Sequence, residues 1–185
     1  EHLEGIFSIA LWDKNKQALY LFRDPLGVKP LLFAKNGKYL AFGSEAKSIL
    51  ASGILSAELN PVALHQSMNL RYIPGEKTLL SGIYRLRPGH YLSMSTSGLF
   101  DRQYSVIDWT PDRRPTREEW KEGIRYHLEK SVNRQMMSDV PVAVSLSGGI
   151  DSSTVLAMIR KRFSGDIKSF SLGFGNPTDE NEDAQ

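Results

Sequence analysis

Residues 140–153, Val-Pro-Val-Ala-Val-Ser-Leu-Ser-Gly-Gly-Ile-Asp-Ser-Ser, restrict the fold more tightly than any other part of the chain. The β-branched run over 142–146 has the length and composition of a strand buried on both faces. It ends on Ser147, Gly148 and Gly149, a turn in which no bulky side chain stands between the backbone and a ligand. Helical spacing follows over 152–163, and a second apolar run occupies 167–174. Strand, turn, helix and strand within about 30 residues make a βαβ unit of a parallel sheet. Such a turn directs several N–H groups, and the positive end of a helix, at one point beyond the strand. That point suits phosphate.

The spacing is not that of the Walker loop, which needs a Lys-Ser/Thr pair after its glycines. Asp151 stands in the turn instead. A polyphosphate repels a carboxylate unless a divalent cation lies between them, so Asp151 points to magnesium (Mg2+). Ser147, Ser152 and Ser153 add hydroxyls for phosphate oxygens. The competing reading is a βα turn whose serines only cap the helix. Two adjacent glycines, an acid and three serines at one strand end weigh against it.

Length and composition set outer bounds. With 185 residues the chain has room for one large domain or two small ones. A net charge of +2 gives neither a nucleic-acid footprint nor an acidic tail. The absence of cysteine removes disulfides, thiolate metal sites and a cysteine nucleophile from these residues. No apolar run reaches the ~18 residues of a membrane span, so a cytoplasmic setting is the default expectation. Two parallel strands and one helix cannot cover both faces of a sheet, which predicts a central piece of a longer polypeptide.

The first half alternates as strands do, over 6–12, 18–23, 31–34 and 39–43, with Asn36-Gly37 marking a hairpin. The expectation is an antiparallel meander with one packed face. Between its middle strands lies Arg23-Asp-Pro-Leu-Gly-Val-Lys-Pro30. Without a nucleophile nearby, Arg23 and Asp24 read as an ion pair pinning a turn rather than as catalytic groups. A short helix over 44–51 precedes another that starts at Asn60-Pro61 and runs through Leu70. His65 has no second ligand at helical spacing, and His127 has no evident chemical role. Arg85, Arg87 and His90 alternate with apolar residues and read as the wet face of a strand. The polar stretch 110–115 is the best domain boundary. Beyond it, Thr116 and Glu119 spell a capping box. Trp120, Ile124, Leu128, Val132 and Met136 then form an apolar stripe expected to pack on a sheet. The basic run 160–162 suits a helix C-terminus.

Ser147-Gly-Gly-Ile-Asp-Ser152 resembles the pyrophosphate loop of the N-type ATP pyrophosphatases, and residues 137–153 resemble glutamine-dependent asparagine synthetase. Gly5-Ile-Phe-Ser-Ile-Ala-Leu-Trp-Asp13, residues 23–31 and Gly43-Ser-Glu-Ala-Lys-Ser-Ile-Leu50 resemble later strands of the class II glutamine amidotransferase domain. Residues 72–92 resemble the connecting segment, and Asp179-Glu180 an Asp-Glu-x-x-Tyr-Ala element, with Asp183 where an aromatic usually stands.

The resemblance implies an α+β and then an α/β fold. Residues 1–108 would end an antiparallel Ntn-type amidotransferase sandwich and carry its connecting segment. Residues 109–185 would begin a parallel-sheet, adenine-nucleotide α-hydrolase-like (PP-loop) domain. The implied activity is an AMP-forming carbon–nitrogen ligase that converts aspartate, glutamine and ATP through β-aspartyl-AMP. ATP and Mg2+ are the implied cofactors, the other partners are small molecules rather than nucleic acid or membrane, and a homodimer is the family habit. Mapped by position, Leu146, Ser147, Gly148, Gly149, Asp151, Ser152 and Leu172 bind ATP, with Asp151 holding the metal and Leu172 near the adenine. The family's cysteine nucleophile has no counterpart here, so no residue is assigned to glutamine hydrolysis, and these residues alone are expected not to perform it. β-Lactam synthetases, peptide-cyclising enzymes and surface-polymer amidotransferases share the plan with other acids, and a non-catalytic paralogue is the remaining alternative.

Overall fold

Leucines at alternate positions build the first sheet. In the computed structural model, which describes residues 3–110 and 115–173, β1 (Ser8–Asp13) and β2 (Ala18–Arg23) form an antiparallel hairpin. Asp13 Oδ1 closes its turn by accepting the N–H groups of Asn15 and Lys16 at 2.9 and 3.0 Å. The other edge of β2 pairs with β6 (His90–Ser95), and β6 pairs with β7 (Gly98–Gln103). A second antiparallel sheet has the order β4-β3-β5, from β3 (Leu32–Asn36), β4 (Tyr39–Gly43) and β5 (Ile83–Arg85).

The single meander expected from sequence is therefore broken between β2 and β3. The cause is the segment joining them. Asp24 is 1% exposed, and its carboxylate accepts N–H bonds from Leu26, Val28 and Lys29 at 3.2, 3.0 and 3.0 Å. Arg23 donates to the carbonyls of Gly27, Lys29 and Leu86 at 2.6, 3.0 and 2.6 Å. The pair has the structural role expected of it, but each side chain grips backbone instead of the other. Gly27 has φ +66°, and a Cβ there would lie 2.7 Å from Pro88 Cγ, so only glycine completes the crossing.

Between the sheets, Leu19, Leu21, Leu92 and Leu99 meet Leu31, Phe33, Leu40 and Leu86. Phe33 points into this core. Its neighbours Leu32 and Ala34 point the other way, towards Ile49 of α1 (Ala46–Ala51) and Ile83. The second sheet is thus packed on both faces, a correction to the one-sided meander. α2 (Pro61–Leu70) starts as its sequence spells, with Asn60 Oδ1 accepting the Ala63 N–H at 3.1 Å, and His65 is exposed. Arg85 donates to the carbonyls of Ile73 and Lys77, while Arg87 and buried His90 both bind Asp101. The single wet strand face expected of them is not formed: Arg85 ends β5, His90 starts β6 and is buried, and of the three Arg87 alone is exposed.

The chain divides into two compact units, Glu1–Thr110 and Pro111–Gln185. In the second, the capping box is present at α3 (Arg117–Gln135): Thr116 Oγ1 accepts the Glu119 N–H, and Glu119 Oε2 accepts the Thr116 N–H. β8 (Ala143–Ser145) and β9 (Lys168–Phe170) pair in parallel, joined by α4 (Ile150–Arg162). Both helices pack through Val144, with Val132 and Ile159 buried beside it. Two expectations change here. Val144 and Leu146 are buried but Ala143 and Ser145 are exposed, so among the described residues one face of β8 is covered, not two. Val132 and Met136 of the α3 stripe reach the core, while Trp120 and Ile124 are 55% and 54% exposed. A two-stranded sheet is too small to cover a helix of 19 residues. Lys161 and Arg162, in the last turn of α4, pair with Glu129 of α3. Hydrogen bonding from Lys161, with the neighbouring positive charges, holds the Glu129 carboxyl below its ordinary range. Residues 111–114 of the proposed boundary, the end of the 167–174 run, and Asp179, Glu180 and Asp183 lie outside the described residues. Among the described residues no helix is long and apolar enough to cross a membrane.

Candidate functional site

The site begins where β8 leaves the sheet. Leu146 is 8% exposed, and its N–H donates to the Phe170 carbonyl at 2.9 Å, extending the parallel ladder past β8. The chain then reverses through Gly148, whose φ of +82° lies in the left-handed region that side chains disfavour. Gly149 is extended (φ −68°, ψ 158°) and caps α4, and the Ser153 N–H bonds to the Gly149 carbonyl at 3.1 Å. α4 consequently starts two residues earlier than the spacing predicts. Asp151 sits in its first turn rather than in the loop.

Ser152 holds this turn together. Its Oγ accepts the Ser147 N–H at 3.2 Å, donates to the Gly149 carbonyl at 3.1 Å and lies 3.2 Å from Ser147 Oγ. A hydroxyl has one proton, and here the Gly149 carbonyl takes it. Ser152 thus shapes the turn instead of offering a donor outward. The N–H groups of Gly148 and Gly149 make no hydrogen bond among the described residues, and they stand beside the positive end of a 13-residue helix. That combination can hold an anion.

The Asp151 side chain is exposed and makes no ion pair or hydrogen bond among the described residues. A carboxylate in a first helical turn is favoured by the helix dipole alone. Its fit to magnesium rests on its position beside two unpaired amides. Magnesium is commonly held by one or two carboxylates together with phosphate oxygens and water, so a single protein carboxylate suffices. Among the described residues, no three His, Cys, Asp or Glu side chains gather in a way that could hold a metal by themselves.

The structure thus brings Leu146, Ser147, Gly148, Gly149, Asp151 and Ser152 into one strand–turn–helix junction. Leu172, 75% exposed, lies just past the end of the neighbouring strand. Ser171, which the sequence does not mark, belongs to the same junction: its Oγ donates to the Leu146 carbonyl at 2.7 Å. Ser169 and Ser171 flank Phe170 without any pattern in the sequence that separates a ladder-capping hydroxyl from an exposed one.

Residues 1–105 match the glutamine amidotransferase domain family, and residues 123–185 match asparagine synthase. Glutamine-hydrolysing asparagine synthetase 3 of Bacillus subtilis is 36% identical over 88% of this chain and 26% of its own length. The B. subtilis asparagine synthetase 1 is 35% identical over 93% of this chain and 27% of its own. The amidase chry2 of Gibberella zeae is 36% identical over 85% of this chain and 24% of its own. The chain spans about a quarter of the length of these relatives. Among solved structures, the glutamine phosphoribosylpyrophosphate amidotransferase of B. subtilis, complexed with ADP and GMP, is similar over 83% of this chain and 30% of its own. At 14% identity and a TM-score of 0.30, that likeness is too loose to bear on fold or chemistry.

Proposed function

The chain belongs to the glutamine-hydrolysing asparagine synthetase family, and from that membership we propose that it serves an ATP-dependent carbon–nitrogen ligase drawing its nitrogen from glutamine. In the proposed reaction the side-chain carboxylate of aspartate attacks the α-phosphorus of ATP. β-Aspartyl-AMP forms and pyrophosphate leaves. Ammonia released from glutamine then attacks the acyl carbon, and AMP departs.

The observation that carries this reading is the pair of unpaired amides at Gly148 and Gly149, set beside the N-terminus of α4 and the unpaired Asp151. Those N–H groups donate to the oxygens of the leaving pyrophosphate, so stabilisation falls where negative charge develops. Ser147 adds its hydroxyl, and Ser152 keeps the turn in shape. Asp151 is the residue that would hold Mg2+, which when bound neutralises pyrophosphate charge. Leu172 lies at the adenine end through its backbone, and Leu146 is a further ATP contact. Residues 1–108 serve the amidotransferase side and 109–185 begin the PP-loop side, in a cytoplasmic homodimer. The chain has no cysteine, so these residues supply no thiol for glutamine.

The test is pyrophosphate release by the whole protein from ATP and glutamine with a panel of carboxylic acids. Aspartate-dependent release is expected, and no release with any acid would sink the reading. The match to an amidase, as close as those to the synthetases, favours one variation: the same chemistry on another acid. Release with a different acid, but not with aspartate, would select it.

A further inference from the structure

We propose that Ser171 is a positioning residue whose hydroxyl takes over a main-chain hydrogen bond and so leaves the N–H of Leu172 open to the edge of a purine. The inference rests on the nucleotide reading above and deepens it.

β8 and β9 run parallel, with Val144 opposite Ser169 and Ser145 opposite Phe170. The ladder continues as the Leu146 N–H bonds to the Phe170 carbonyl at 2.9 Å. In a regular parallel ladder the Leu146 carbonyl then receives the N–H two residues beyond Phe170, that of Leu172. Instead the Ser171 hydroxyl donates to that carbonyl at 2.7 Å, and the Leu172 N–H makes no hydrogen bond among the described residues. The carbonyl is satisfied and a main-chain donor is released.

The place of release matters. It is the C-terminal end of a parallel strand, where open α/β sheets bind ligands. The neighbouring strand end opens into the Ser147–Gly149 turn, so donors for phosphate and a donor for the base lie at adjacent strand ends. A purine presents ring-nitrogen acceptors on its edge. A free backbone N–H answers one of them, and the exposed Leu172 side chain leaves the approach clear. Without the Ser171 hydroxyl, the Leu146 carbonyl needs another partner, and the nearest in register is the Leu172 N–H. The ladder then closes by one rung and the donor is lost to the ligand.

The experiment compares Ser171→Ala and Ser171→Thr in the whole protein. Hydrogen exchange is read by mass spectrometry at single-amide resolution, and binding is titrated with magnesium–ATP and with inorganic pyrophosphate. In Ser171→Ala the Leu172 amide is expected to exchange about tenfold more slowly, and ATP affinity to fall about tenfold, the worth of one neutral hydrogen bond. Pyrophosphate affinity is expected to stay unchanged, because pyrophosphate touches only the turn. Ser171→Thr keeps the hydroxyl and restores both values. Unaltered exchange at Leu172 in Ser171→Ala overturns the inference, and so do equal losses for ATP and pyrophosphate, which mark a loosened turn. A wild-type protein that binds neither ligand defeats the nucleotide reading itself, and the inference with it.

Discussion

Asp24 shows how much a single carboxylate can organise. Burial pushes its carboxyl up, but the N–H groups of Lys29, Val28, Leu26 and Gly27 outweigh burial and hold it below the ordinary carboxylate range. Its pKa is thus lower folded than unfolded, so its stabilising contribution is full above the unfolded value and is lost as pH falls through the folded one. Asp24→Asn is expected to cost about 2–3 kcal/mol at neutral pH, the scale of hydrogen bonds to a charged group. It is also expected to flatten the stability profile below about pH 4. Urea unfolding across that range checks both, and a variant as acid-sensitive as wild type would show that another carboxylate is responsible. Gly148 is the counterpart in the second unit. A side chain at φ +82° costs roughly 1–2 kcal/mol and forces the turn to relax. Gly148→Ala is therefore expected to weaken pyrophosphate binding by about tenfold or more in a calorimetric titration. Unchanged affinity would remove the turn from the anion site. Gly148 could be picked out from sequence because glycine marks such turns. The partners of Asp24 could not, since main-chain donors leave no trace in residue identity.

Among elements, α3 was the most readable at its start. Thr116 and Glu119 stand three apart and bond reciprocally, as that spacing predicts. Thr116→Ala is expected to cost about 1 kcal/mol, measurable as a lower melting temperature of the second unit. A melting temperature equal to wild type would mean that the cap contributes nothing to the fold. The start of α4 was less readable, because a serine-rich run offers several caps and an extended glycine, Gly149, took the role without any side-chain bond. The break between β2 and β3 was unreadable for a different reason. Alternation identifies a strand and the face it buries but not its partner, and the free edge of β2 went to β6, far along the chain. The α3 stripe makes the same point: the spacing of Trp120 and Ile124 shows an apolar face without showing what covers it.

For the molecule as a whole, the two units correspond in our reading to two chemistries, so one can be disabled alone. Asp151→Asn in the whole protein is expected to abolish acid-dependent pyrophosphate release while glutamate continues to form from glutamine. Measuring both products in one reaction checks this, and undiminished pyrophosphate would free Asp151 of its assigned role. The first unit has a mechanical property of its own. A single guanidinium, that of Arg23, is riveted to Leu86 beside one leaf of the sandwich and to Gly27 and Lys29 in the strap between the leaves. Neither leaf can peel away while that rivet holds, so amides on β2 and β3 should lose protection together, in one concerted opening.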